Sequence, residues 1–86
     1  MTKHRFDAGG HRFEIAASVW SGAERVSIDG RVLSSKRSFC FVTPHVFQLV
    51  EQGRRVTYEV DVLTGVGGGA QGYIVRRDGI AIAHKP

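Results

Sequence analysis

The chain has 86 residues and a mass of 9.4 kDa, with 42% hydrophobic residues and 11 glycines. Such a chain buries about 60 to 65% of its extended surface, which excludes large enzymes and predicts a single domain over residues 1–86. Twelve Lys and Arg against eight Asp and Glu give a net charge of +4, which suits an anionic partner but also simply keeps a small domain soluble.

Cysteine usage and the distribution of apolar residues narrow the class further. The single cysteine, Cys40, excludes a disulfide framework. No segment approaches the roughly 18 apolar residues of a membrane helix, so no membrane partner is predicted. The polar, basic start of the chain shows no secretory signal, and a cytoplasmic location is expected.

Apolar and polar residues alternate with period two along nearly the whole chain, and no helical stripe interrupts them. At the start, His4, Phe6 and Ala8 alternate with Lys3, Arg5 and Asp7. The same pattern returns over residues 11–19 after Gly9-Gly10, which predicts a hairpin turn because glycine accepts a positive φ. One half of each alternating set should face a core and the other half water.

Two Asp-Gly pairs give the clearest turn signals, since a type I′ turn needs positive φ at both central residues. Asp29-Gly30 is predicted to join strands 25–28 and 31–36, and Asp78-Gly79 to join strands 73–77 and 80–84. Further strands are predicted over residues 38–43 and 46–51, on either side of Pro44, which is expected to bar regular pairing.

The strongest alternation lies over residues 56–62, and the only long loop is predicted over residues 64–72. About eight short strands at this spacing are typical of a sandwich or a small barrel. We therefore predict an all-β antiparallel β-sandwich of about eight short strands joined by tight hairpins.

Three motifs suggest ligand binding, each with a structural alternative. Gly67, Gly69 and Gly72 have the dinucleotide-binding spacing, but that motif requires a helix where a strand is predicted, so a hairpin loop is favoured. Phe39 and Phe41 follow Lys36-Arg37 as in base-stacking strands, although we expect both rings in the core.

The arginine pairs form the third candidate. Arg54, Arg55, Arg76 and Arg77, with Phe39 and Phe41, could form an anion or nucleic-acid patch. Adjacent strand residues point to opposite faces, so at most one arginine of each pair should join a given patch. Glu59, Asp61 and Asp78 are available to neutralise them.

The sequence does not predict catalysis. Its four histidines have no metal-ligand spacing, and Cys40 is more typical of a small buried hydrophobe than of a nucleophile. His4 and His11 fall on the inward sets of the first hairpin, where hydrogen-bonded core or rim histidines are expected. No enzyme activity, metal or cofactor is predicted.

The order of residues resembles the Fas apoptotic inhibitory molecule (FAIM) family. The matching residues are His11, Glu14, Ser21-Gly22, Val26, Ile28, Asp29, Gly30, Phe47, Thr57, Val60-Asp61, Thr64-Gly65, Tyr73 and Gly79. The chain departs from the family at Val66, where an aromatic residue is usual, and at Ser38, where tryptophan is expected. It also has one unit where animal members have two.

The resemblance implies an antiparallel sandwich without catalytic machinery, in a family linked to apoptosis control and protection against protein aggregation. It carries over no site residue. We therefore expect a module that binds another protein at a sheet face or an unpaired edge. The alternative is a basic nucleic-acid-binding domain that uses the arginine-rich strands with Phe39 and Phe41.

Overall fold

The structure is a computed structural model and describes residues 2–37, 41–64 and 70–86. Those residues form eight strands: β1 (Thr2–Ala8), β2 (His11–Ala17), β3 (Ala23–Ile28), β4 (Arg31–Arg37), β5 (Val42–Glu51), β6 (Arg54–Thr64), β7 (Ala70–Arg77) and β8 (Ile80–Lys85). Among the described residues, no helix has the length and apolar character needed to cross a membrane.

The strands form two antiparallel meanders that pack face to face. Strands β1 to β4 follow chain order in one sheet, sheet A, and β5 to β8 follow chain order in the other, sheet B. The predicted all-β sandwich of about eight short strands is confirmed. Each sheet has two edge strands, β1 and β4 in sheet A and β5 and β8 in sheet B.

Positive φ angles occur where the tight hairpins were predicted. Asp29 and Gly30 have φ of 52° and 82°, and Asp78 and Gly79 have 49° and 85°. Each aspartate also accepts a hydrogen bond from a backbone N–H, Asp29 from Arg12 at 2.9 Å and Asp78 from Thr57 at 3.0 Å. The Asp side chain thus ties each turn to a neighbouring strand.

The inward-facing sets of both sheets meet in one core. Its fully buried members include Phe13, Ile15, Val26, Tyr58 and Val60. Phe6 of sheet A stacks on Tyr73 of sheet B, with ring centroids 3.9 Å apart. His4 and His11 lie on the same inward-facing sets as Phe6 and Phe13, at the rim of this core, as predicted.

The expected interruption at Pro44 is wrong. Strand β5 runs unbroken from Val42 to Glu51, with Pro44 in register opposite Asp61. The carbonyl of Pro44 accepts a 2.5 Å hydrogen bond from Lys36 of β4, so the Pro44 backbone faces away from β6. Because β5 is an edge strand, the missing N–H costs no ladder bond.

The glycine-rich segment lies mostly outside the described residues, which include neither Gly67 nor Gly69. The loop predicted over residues 64–72 is too long at both ends, because β6 runs to Thr64 and β7 already begins at Ala70. Gly72 lies within β7. A strand follows the glycines, as predicted.

Candidate functional site

The two arginines of β7 point to opposite faces of sheet B, as predicted. On the outer face, Arg76 contacts Asp61 at 2.5 Å and Glu59 at 3.1 Å. The neighbouring Asp61 carboxylate raises the pKa of Glu59. The hydrogen bond to Asp61 also raises the pKa of Arg76. Arg76 is therefore ion-paired with Glu59 and Asp61, two of the carboxylates that were predicted to be available to neutralise the arginines.

The arginines at the start of β6 are also separated by strand alternation. Arg54 lies 3.6 Å from Asp78, whereas Arg55 forms no ion pair with any residue that the structure describes. Arg54 and Arg77 line one open depression of about 400 Å³, together with Gly9, Glu51 and Gln52. One arginine of each pair thus shares a site, but the carboxylate of Glu51 sits between them, and the four arginines do not form one patch.

The two candidate aromatics have different outcomes. Phe39 lies outside the described residues. Phe41 is 69% exposed, so its expected place in the core is wrong. The chain bends at Phe41 before β5 begins, and the inward set of that strand starts only at Thr43.

A polar hub centred on Glu51 joins the two sheets at the end of the sandwich that carries the Asp-Gly turns. Glu51 Oε2 accepts hydrogen bonds from Tyr58 at 2.5 Å and from His11 Nε2 at 2.8 Å, and its Oε1 accepts one from Arg77 at 2.7 Å. The other ring nitrogen of His11 lies 2.8 Å from Asp29.

Hydrogen bonds in this hub shift the ionisation of its members. Bonds from Tyr58, Arg77 and His11 lower the pKa of Glu51 from 4.5 to about 2. Asp29 and Glu51 raise the pKa of His11 above 6.5, against the opposing effect of burial. The hub therefore stabilises a negative Glu51 beside a positive His11. Arg77 has a structural role in it, as a hydrogen-bond donor to Glu51.

A second polar network lies buried where β3, β4 and β5 meet. His45 Nε2 lies 3.0 Å from Glu24 Oε1, and His45 Nδ1 lies 2.7 Å from the Ser34 hydroxyl. Thr43 donates to Glu24 Oε2 at 3.3 Å. Because a carboxylate only accepts, Nε2 of His45 donates to Glu24, which leaves Nδ1 to accept from Ser34 in the neutral ring.

Ser34, His45 and Glu24 form a hydrogen-bonded series like that of a nucleophile, a base and an orienting carboxylate. His45 is completely buried, and its partner Ser34 is half-buried. Neither the depression at Glu51 nor a second one of about 340 Å³ beside Arg5 and Glu14 includes Ser34. The geometry is that of a network that satisfies buried polar groups at a corner of the sandwich.

The edge of β5 is the third feature and was not singled out by the sequence. Among the described strands, this ten-residue strand is hydrogen-bonded to β6 alone. Its outward side chains at Val42, Val46 and Val50 are all exposed. The alternation of valines was visible in the sequence, but the edge position of the strand was not.

Comparison with known proteins adds no assignment. No protein-family model, curated protein or solved structure matches this chain. The depression at Glu51, the buried network at Glu24 and the edge of β5 are therefore judged by their geometry. Of the three, only the β5 edge offers both unpaired backbone groups and exposed apolar side chains.

Proposed function

We propose that this protein is a non-catalytic β-sandwich module that binds an extended segment of another polypeptide along the edge of β5. The observation that carries the proposal is the combination, over residues 46–50 of one long edge strand, of exposed valines with outward backbone groups that bond to no neighbouring strand among the described residues. A bound segment would add a strand to sheet B through main-chain hydrogen bonds, and its alternate side chains would pack beside the valines.

Four hydrogen bonds show in which direction the backbone groups of β5 point. Pro44 turns its carbonyl away from β6 towards Lys36, whereas Phe41 turns its carbonyl towards Thr64 of β6. Thr57, opposite Gln48, directs its own backbone to Asp78 and so away from β5. Since backbone direction alternates along a strand, the N–H and C=O groups of Val46, Gln48 and Val50 face the open edge.

The two halves of β5 differ in how they are protected. Near its start, Pro44 lacks an N–H and Lys36 covers the carbonyl, which are two common devices against unwanted strand pairing. From Val46 to Val50 the edge carries no charged residue. This half combines free backbone groups with apolar side chains, and it is the segment we assign to the partner.

The resemblance to the FAIM family supports the same proposal, because that family is linked to protection against aggregation. Aggregating polypeptides expose unpaired strands of alternating apolar residues, which an open strand edge can pair with little demand on sequence. As part of this proposal the module acts on proteins in the cytoplasm. The nucleic-acid alternative at the arginine pairs is weakened because Arg54, Arg76 and Arg77 are each paired with a carboxylate.

A substitution of Gln48 by proline tests the edge directly. Gln48→Pro removes one outward N–H without breaking a backbone hydrogen bond to β6, in the way that Pro44 already does, and it also removes the exposed 3.4 Å side-chain hydrogen bond from Gln48 to the Thr57 hydroxyl. At equimolar ratio we expect the wild-type protein to delay the aggregation of a client protein, followed by thioflavin fluorescence. Gln48→Pro should shorten that delay at least about twofold, since each lost hydrogen bond contributes about 1 kcal/mol.

A charged substitution has a matched control on the opposite edge of sheet B. Val50 and Ile80 are 72% and 70% exposed, Val50 on β5 and Ile80 on β8. Val50→Lys should shorten the delay, whereas Ile80→Lys should leave it unchanged. A wild-type protein that causes no delay would overturn the proposal. So would a concentration-dependent dimer that Gln48→Pro abolishes, because a second copy would then occupy the edge.

A further inference from the structure

The outer face of sheet A carries basic side chains contributed by all four of its strands. Strand pairing aligns the outward residues of the four strands in rows across the sheet. One row is Lys3, Ala16, Arg25 and Ser35, and the next is Arg5, Glu14, Ser27 and Val32. Asp7 and Arg12 form a pair at one end of the face, and Arg37 lies beside Ala23 at the other end. Five cations and two carboxylates thus share one face, and small residues form much of the floor between them.

Ion pairing leaves much of this charge free. Arg5 lies 2.7 Å from Glu14, and Arg12 lies 3.1 Å from Asp7. The remaining cations, Lys3, Arg25 and Arg37, form no ion pair within the part of the chain that the structure describes, and all three are exposed. Three positive charges therefore remain on one side of the sandwich, in contrast to Arg54, Arg76 and Arg77 of sheet B, which are each paired with a carboxylate.

These side chains converge rather than extend independently into solvent. Ala16 belongs to the outward set of β2 and yet is only 6% exposed, because it lies between Lys3 and Arg25, whose long side chains flank it. The pKa of Glu14 is lowered mainly by Arg5, with further contributions from Lys3 and Arg25. Cations from β1 and β3 thus act on the same central carboxylate.

The only tryptophan of the chain lies at the end of this face. Trp20 belongs to the turn between β2 and β3, which is closed by a hydrogen bond from Ser18 to Ala23. Ala23 pairs with Arg37, so the turn projects beside that arginine and beyond the row of Lys3 and Arg25. The indole is 91% exposed, the highest exposure among the large apolar side chains that the structure describes.

We propose that the outer face of sheet A, with Trp20 at its end, binds single-stranded nucleic acid. Lys3, Arg25 and Arg37 would contact phosphates, and the indole would stack on an unpaired base. Single-strand binders combine a basic track with exposed aromatic rings in this way. An acidic peptide would satisfy the cations but would leave the indole without a partner, and the paired bases of a duplex are not available to stack on it.

This surface is separate from the β5 edge and goes beyond the function proposed above. Its sequence signal lay in the outward-facing sets of the first hairpin, which contain Lys3, Arg5 and Arg12. The sandwich adds Arg25 and Arg37 to them, from strands that are distant along the chain. We thus place the nucleic acid on sheet A, and not at the arginine pairs that the sequence indicated.

Fluorescence anisotropy of a labelled oligothymidylate of about 16 nucleotides tests the proposal with the intact protein. Affinity should fall with salt, with a slope of log K against log salt of about −2 to −3.5 for three to five phosphate contacts. Arg25→Gln should make the slope shallower by about 0.7 and weaken binding about fivefold near 0.1 M salt. Unlabelled oligonucleotide should quench Trp20 emission, and Trp20→Ala should weaken binding about tenfold.

Arg55→Gln is the matched control, because Arg55 is an exposed cation on sheet B without an ion pair to the described residues. It carries the same change in net charge as Arg25→Gln and should leave affinity and slope unaltered. Equal losses in both variants would show a response to net charge alone and would overturn the proposal. So would oligoglutamate that competes equally well without changing Trp20 emission, since the face would then belong to acidic polypeptides.

Discussion

Replacing Glu24 by alanine is expected to lower the free energy of unfolding by about 2 to 4 kcal/mol, because it leaves a buried N–H unpaired and opens a cavity. Glu24 and His45 are both buried, and the carboxylate accepts from His45 and from Thr43. Its removal leaves the fully buried ring N–H of His45 without its carboxylate acceptor. For a domain of this length that is a large part of a total stability of roughly 4 to 13 kcal/mol.

Urea denaturation followed by far-UV circular dichroism measures this effect. Tryptophan fluorescence is unsuitable because Trp20 is already exposed in the folded protein. Glu24→Gln, which retains an oxygen acceptor for His45, should be less destabilising than Glu24→Ala. If Glu24→Ala unfolded within about 1 kcal/mol of the wild type, the buried network would contribute no more than an ordinary hydrogen bond.

The hub at Glu51 should give the protein a stability maximum between about pH 4.5 and 6.5. The folded pKa of Glu51 lies near 2, below its ordinary 4.5, so its contribution is complete above pH 4.5 and is lost as the pH falls towards 2. The folded pKa of His11 is raised, so its contribution is complete below pH 6.5 and is lost as the pH rises through that folded value.

Two substitutions separate the limbs of this profile. In the wild type, up to about 3 kcal/mol of the free energy of unfolding should be lost as Glu51 is protonated, and Glu51→Gln should abolish this loss. His11→Gln should remove the decrease in the free energy of unfolding on the alkaline side. Glu59→Gln is the control, because the pKa of Glu59 is raised and its ionisation does not favour the folded state. A Glu51→Gln protein with the wild-type acid limb would contradict the assignment of the hub.

Local residue chemistry predicted the strands and turns of this fold closely. The Asp-Gly pairs place their turns correctly because positive φ is a property of the residues themselves. Alternation likewise identified Tyr58, Val60 and Val62 as one buried set, since period two follows from the geometry of a single strand. The separation of Arg76 from Arg77 follows from the same rule.

Other features depend on which strands become neighbours, and the sequence predicted them poorly. Pro44 looked like a strand breaker, yet it lies within β5 because that strand is at an edge. His45 was not distinguished from the other histidines, although it alone meets Glu24 in the core. Phe41 has the parity of an inward residue and is exposed because the chain bends there.

The sequence by itself determined that this protein is a sandwich of short antiparallel strands, since turn chemistry and period-two alternation act over a few residues. Only the tertiary structure decided which strand became an open edge, which cations were neutralised and which shared the outer face of sheet A. The physical reason is that hydrogen bonds and ion pairs join residues far apart in the chain, such as Glu24 and His45 or His11 and Glu51. Their partners are determined by the packing of the two sheets.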